Sequence, residues 1–116
     1  EQARRQGIIS VYLDGGDFGE GSSYYFSNKG VDSLRALDLL GVDVTVLGNH
    51  DFILGGRELA RQIKDAKLQA SMLSANMGNK RMTGLLNYLP DSVDVTVGEF
   101  KVRIFGLTTP DLHFQY

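Results

Sequence analysis

Apolar and polar positions alternate along the chain in blocks whose period changes from strand-like to helix-like and back. An opening charged stretch to Gln6 reads as the end of a helix closed by Gly7. Ile8-Ile9-Ser10-Val11-Tyr12-Leu13 then runs almost unbroken in β-favouring residues, the pattern of a buried strand. Val31, Leu34, Ala36, Leu37 and Leu40 recur at helical spacing, with Gly41 as the stop. A second strand is predicted over Val42–Leu47, a helix from about Arg57 to Lys67 with Leu59, Ala60, Ile63 and Ala66 on one face, and a third strand over Ala70–Ser74. Farther on, Val93, Val95 and Val97 alternate, Gly98-Glu99 turns, and Phe100, Val102 and Ile104 alternate again, which predicts a β-hairpin. Strands alternating with helices imply an α/β fold with a mainly parallel sheet, to which the late hairpin is added.

Two segments break the pattern. Residues 14–29 switch to Gly, Ser, Asp and Asn with Tyr24, Tyr25 and Phe26 among them, a long loop with room for one helical turn. The aromatic trio is expected to cover the neighbouring helix. Residues 76–81 read as a polar loop, in which Lys80 and Arg81 are expected on a solvated face. Met72, Met77 and Met82 form no helical stripe and are expected to pack or lie exposed.

At 116 residues the chain has room for one domain, and its 42% hydrophobic content is enough for a core. Twelve basic against 14 acidic side chains give a net charge of −2, which argues against a protein that neutralises nucleic-acid phosphates. The absence of cysteine excludes disulfides, thiolate metal sites and a cysteine nucleophile. No apolar run approaches the roughly 18 residues of a membrane span, and the charged start is not followed by the apolar region of a signal peptide. The chain begins without Met, as a processed or excised piece would.

In open α/β sheets ligands collect beyond the carboxyl ends of strands, so the loops leaving the first two strands are where chemistry is expected. The first is Asp14-Gly15-Gly16-Asp17-Phe18-Gly19-Glu20-Gly21-Ser22, glycine-rich and acidic, and it lacks the basic residue of a nucleotide phosphate loop. A surface turn with Asp side chains capping backbone amides explains it equally well. The second loop is denser: Gly48-Asn49-His50-Asp51 supplies an amide oxygen, an imidazole and a carboxylate in succession. A structural hydrogen-bonded His–Asp pair is the plain alternative there. Read together, the two strand ends place Asp17 near Asn49 and His50, a donor set suited to a hard divalent cation.

Leu13-Asp14-Gly15-Gly16-Asp17-Phe18-Gly19 resembles the G-D-x-x-x-G motif, and Gly48-Asn49-His50-Asp51 the G-N-H-[DE] motif, of calcineurin-like metallophosphoesterases. The 5′-nucleotidase branch is the nearer likeness, through Val42–Leu47, Gly55, Leu59, Ser74-Ala75-Asn76 and Gly106-Leu107-Thr108-Thr109-Pro110. The resemblance implies a four-layer α/β/β/α sandwich, of which residues 1–116 would be the middle portion of one catalytic domain. It also implies that Asp17 bridges two divalent metal ions, that Asn49 binds the second, and that His50 is catalytic, contacting the phosphoryl oxygen or leaving group. Manganese, zinc, iron, magnesium, calcium and cobalt are not distinguished. The substrate would be a nucleotide or another small phosphate ester, and the location periplasmic or extracellular.

Two departures accompany the resemblance. The branch places an acid two residues beyond the motif's own acid, where it orients the histidine, and this chain has Ile53 there. The opening D-x-H motif and the later histidine motifs do not occur, and His113 falls in what resembles a non-ligand loop. The family's opening strand would lie beside Ile8–Leu13, so an exposed sheet edge and self-association through it are expected. A noncatalytic α/β scaffold, whether a decayed phosphoesterase or a Rossmann-like module, is the alternative reading.

Overall fold

In the computed structural model, residues 2–19, 23–78 and 80–109 are described. Pro110 and His113 lie outside them. The chain opens with α1 (Gln2–Arg5) and reaches a very short strand, β1 (Leu13–Asp14). Two helices follow, α2 (Ser23–Asn28) and α3 (Val31–Leu40), before β2 (Val44–Val46). A 3-10 turn at His50–Phe52 leads into α4 (Gly56–Ala66), then β3 (Ser71–Leu73) and α5 (Lys80–Thr83), and the hairpin β4 (Ser92–Val97) and β5 (Phe100–Phe105) completes the set.

The three short strands form one parallel sheet in the order β1-β2-β3, in register Leu13 to Val44 and Val44 to Ser71. The hairpin is a separate antiparallel pair in which Val97 faces Phe100 across the two-residue turn. Mixed parallel and antiparallel pairing flanked by helices is therefore the observed architecture.

The helical period of Val31, Leu34 and Leu37 predicts the buried face of α3, and these three residues are buried. The helix stops at Gly41, whose φ of 76° is left-handed and whose N–H bonds back to the Asp38 carbonyl. On α4 the buried residues are Leu59, Gln62, Ile63 and Ala66, and the apolar ones join α3, Val42, Leu47, Met72 and Leu85 in one core. The opposite face of the sheet is covered closely by the exit from the hairpin. A Cβ on Gly106 would sit 2.6 Å from Val46 Cγ1 and 2.8 Å from the Leu73 carbonyl, and the Gly106 carbonyl accepts the Ala75 N–H at 2.7 Å.

Three expectations need correction. The run Ile8–Leu13 is not a buried strand: only its last residue pairs, and Ile8, Ile9, Tyr12 and Leu13 are 46–64% exposed. Its residues are β-favouring, but among the described residues β1 has a strand partner on one side only, so burial fails for want of a neighbour. Second, the polar loop at residues 76–81 gives way to α5 at Lys80. Third, Lys80 is buried, because its ammonium is paired with Asp91 at 2.5 Å while its stem packs inward; Arg81 is exposed as expected. The methionines divide as expected, with Met72 and Met77 buried and Met82 exposed. Of the aromatic trio, Tyr25 is buried, its ring close to Gly30 at the start of α3.

Candidate functional site

Because β1 and β2 are parallel neighbours, the segments that follow Asp14 and Val46 leave the same edge of the sheet. Asp14 closes the first strand, and its Oδ2 accepts the Gly16 N–H at 3.0 Å and the Thr45 hydroxyl at 2.6 Å. This pair fixes the start of the first loop to the second strand. Asp17 follows with φ 63°, a left-handed conformation that costs a residue with a Cβ on the order of 1–2 kcal/mol.

The second loop meets it directly. Asp17 Oδ1 accepts the backbone N–H of His50 at 3.1 Å, so the two motifs are in contact although 33 residues separate them. Gly48 makes the approach feasible, since a Cβ there would collide with the Asp17 carboxylate and lie 2.7 Å from the Asp17 nitrogen. Asp17 is exposed, and Asn49 and His50 are partly buried, so none of the three predicted residues is closed off from solvent.

Asp51 has turned the other way. It is 3% exposed, and its carboxylate accepts N–H groups from Asp17 at 3.0 Å, Gly19 at 2.9 Å and Gly48 at 2.8 Å. Burial pushes its carboxyl up to about 6, against the three amides that pull it down. Sequence reasoning offers Asp51 only as a neighbour of His50 and does not anticipate this use, nor the link from Asp14 to Thr45. The available signal is an acid just after a buried strand in a turn, where carboxylates cap amides.

A third segment joins the same edge beyond β3. The Asn76 side chain donates to the Thr108 carbonyl at 2.7 Å and accepts the Thr108 N–H at 3.0 Å, so Ser74-Ala75-Asn76 and the residues after the hairpin are bound together. The buried hydroxyls of Ser74 and Thr108 have no hydrogen-bond partner among the described residues.

The donor set of Asp17, Asn49 and His50 offers one carboxylate, one amide oxygen and one imidazole, and the space left over Gly48 lets the carboxylate lie against the backbone. These groups suit one side of a hard-cation site and are too few to complete two. Among the described residues no group of three His, Cys, Asp or Glu side chains is arranged to hold a metal ion. No helix among them is long and apolar enough to cross a membrane.

No protein-family model matches the chain. It is 33% identical to the human 5′-nucleotidase and 30% identical to the mouse 5′-nucleotidase, in each case over 98% of this chain and 20% of the relative. The fold matches the crystal structure of a 5′-nucleotidase precursor from Thermus thermophilus with a TM-score of 0.86 and 30% identity, covering 97% of this chain and 22% of that one. The chain therefore spans about a fifth of the length of the relatives it matches. Its sheets and helices correspond to part of the α/β/β/α metallophosphoesterase fold, and the likeness in sequence and in structure supports the calcineurin-like/5′-nucleotidase superfamily.

Proposed function

We propose that these residues are the middle portion of the catalytic domain of a metal-dependent phosphoric ester hydrolase, of the 5′-nucleotidase or cyclic phosphodiesterase kind, and that alone they do not turn over substrate. The observation that carries this reading is the contact of Asp17 with His50 at the carboxyl edge of the parallel sheet, in a chain alignable with 5′-nucleotidases over nearly its whole length. In this reading Asp17, through its carboxylate, and Asn49, through its amide oxygen, are the residues of this chain that would hold divalent cations. Such cations, when bound, supply Lewis acidity and a nucleophile at neutral pH. His50 donates a proton or hydrogen bond toward the phosphoryl group or its leaving oxygen. The substrate is a small phosphate ester such as a nucleotide, as the relatives' names imply.

Two observations favour a second reading, a noncatalytic α/β scaffold derived from such an enzyme. Ile53 stands half-buried where the branch keeps the acid that orients the histidine, and the described donor set is incomplete. The coding sequence on either side separates the two: an upstream D-x-H and downstream histidine motifs support the hydrolase, and their absence supports the scaffold.

Activity measurements test the roles. The intact protein, assayed on a chromogenic phosphodiester and a nucleoside monophosphate with manganese, is expected to lose turnover on Asp17→Ala. His50→Ala should depress turnover far more than manganese binding, and Ile53→Asp should raise activity or move its pH profile upward. Unchanged turnover in His50→Ala would make His50 structural. Robust turnover by the 116-residue chain, lost on Asp17→Ala, would overturn its assignment as an incomplete site. A periplasmic or extracellular location is part of the same proposal and is tested by cell fractionation.

A further inference from the structure

Both oxygens of Asp51 are committed to the backbone of two loops far apart in sequence. Oδ2 takes the N–H of Asp17 from the first loop and of Gly48 from the second, and Oδ1 takes the N–H of Gly19 from the first. The side chain is buried, so water does not compete for these bonds. One of the three amides belongs to Asp17 itself, held in a left-handed conformation that its own Cβ disfavours. On the other side, the Asp17 carboxylate is tied to the His50 N–H, one residue before Asp51. A carboxylate is the group suited to this place. An asparagine would present one acceptor oxygen and turn an NH2 toward a backbone donor.

We infer that Asp51 is a positioning residue: without touching a cation, it fixes Asp17 against Asn49 and His50, so the affinity of the site for a divalent cation depends on it. This rests on the reading of Asp17 and Asn49 as cation ligands. It differs from a general contribution to folding in one respect. Asp51 acts on cation binding through Asp17, so the effects of removing the two carboxylates should not add.

The test is calorimetric titration of the intact protein with manganese alone, for the wild type, Asp17→Asn, Asp51→Asn and the double variant, each checked as folded by circular dichroism. Asp17→Asn is expected to weaken binding at least about tenfold, and Asp51→Asn by about 10–100-fold, the range seen when a group supporting a metal ligand is removed. In the Asp17→Asn background, Asp51→Asn should add little. If Asp17→Asn leaves manganese binding unchanged, the cation-site reading fails and this inference with it. If Asp17→Asn weakens binding but Asp51→Asn only lowers the melting temperature, or weakens binding equally with and without the Asp17 carboxylate, the positioning role alone is overturned.

Should Asp51→Asn not fold, Gly19→Ala opens the same joint with Asp51 intact, since the new Cβ would lie 2.6 Å from the His50 carbonyl oxygen and 2.9 Å from Asp51 Cα. It should weaken manganese binding likewise, and unchanged affinity would contradict the inference. Hydrogen exchange on the unaltered protein gives a reading that needs no variant. The amides of Asp17, Gly19 and Gly48 should exchange as slowly as those of the parallel strands, and exchange at exposed-loop rates would overturn the clamp.

Discussion

The Asp17 carboxylate lies against the backbone of Gly48, in the space a Cβ would occupy, and is held there by the His50 N–H at 3.1 Å. The first candidate ligand is thereby seated on the loop that carries the second, Asn49, and the candidate catalytic His50. Parallel pairing of β1 with β2 brings the loops to one edge, and the missing side chain at residue 48 lets them close.

Gly48→Ala is expected to expel that carboxylate. In the intact protein it should cost about 1–3 kcal/mol of stability by overpacking. Under the proposed hydrolase reading, phosphodiester turnover should fall on the order of 100-fold from misplacement of the candidate ligand. Urea denaturation and a steady-state assay check the two effects separately, and a variant with wild-type values in both would show that the collision is relieved without moving Asp17.

Asp51 makes stability depend on pH in a defined direction. Burial raises its carboxyl to about 6, so the folded chain holds the proton more tightly than the unfolded chain does. Its contribution is complete at low pH and is lost as pH rises through about 4 to 6, an effect on the order of 3 kcal/mol at most. Thermal melting without added cations should show the wild type losing stability relative to Asp51→Asn across that window, and a constant difference from about pH 7 to 8.

Lys80 and Asp91 offer a test away from the site. The lysine side chain is 8% exposed and the aspartate 75%, so Asp91→Asn leaves an ammonium buried beside a weaker partner. A loss of about 1–3 kcal/mol is expected. Lys80→Met, which removes the buried charge and keeps the stem, should cost less. Chemical denaturation ranks the two, and the reverse order would mean that the ammonium is better solvated than its burial implies.

Much of this architecture is legible along the chain because its causes are local. Val31, Leu34 and Leu37 repeat at helical spacing and Gly41 supplies the left-handed stop, so α3 is readable from its own residues. The hairpin is equally local, with Val93, Val95 and Val97 facing Ile104, Val102 and Phe100 across Gly98-Glu99. Ile8–Leu13 misleads because burial depends on a second neighbour, which no strand pattern encodes. Lys80 misleads because its partner, Asp91, lies 11 residues farther along. At the site, the contact between Asp17 and His50 follows from parallel strand order. The service of Asp51 does not, since only the folded loops reveal which amides face it.

The exposed edge of β1 predicts association of the 116-residue chain. Ile8, Ile9, Tyr12 and Leu13 are largely exposed, and β1 lacks an outer strand partner among the described residues. Analytical ultracentrifugation should show a species larger than the monomer as concentration rises, and Ile9→Lys should shift it toward monomer. A chain that stays monomeric throughout would mean that this edge does not pair.

Anomalous diffraction from crystals of the intact protein grown with manganese tests the cation site most directly. A peak is expected with the carboxylate of Asp17 and the amide oxygen of Asn49 both within roughly 2.0–2.6 Å of a common ion. Peaks that avoid Asp17, or an Asn49 oxygen turned away from the ion that Asp17 holds, would contradict the assignment of these two strand ends as one metal centre.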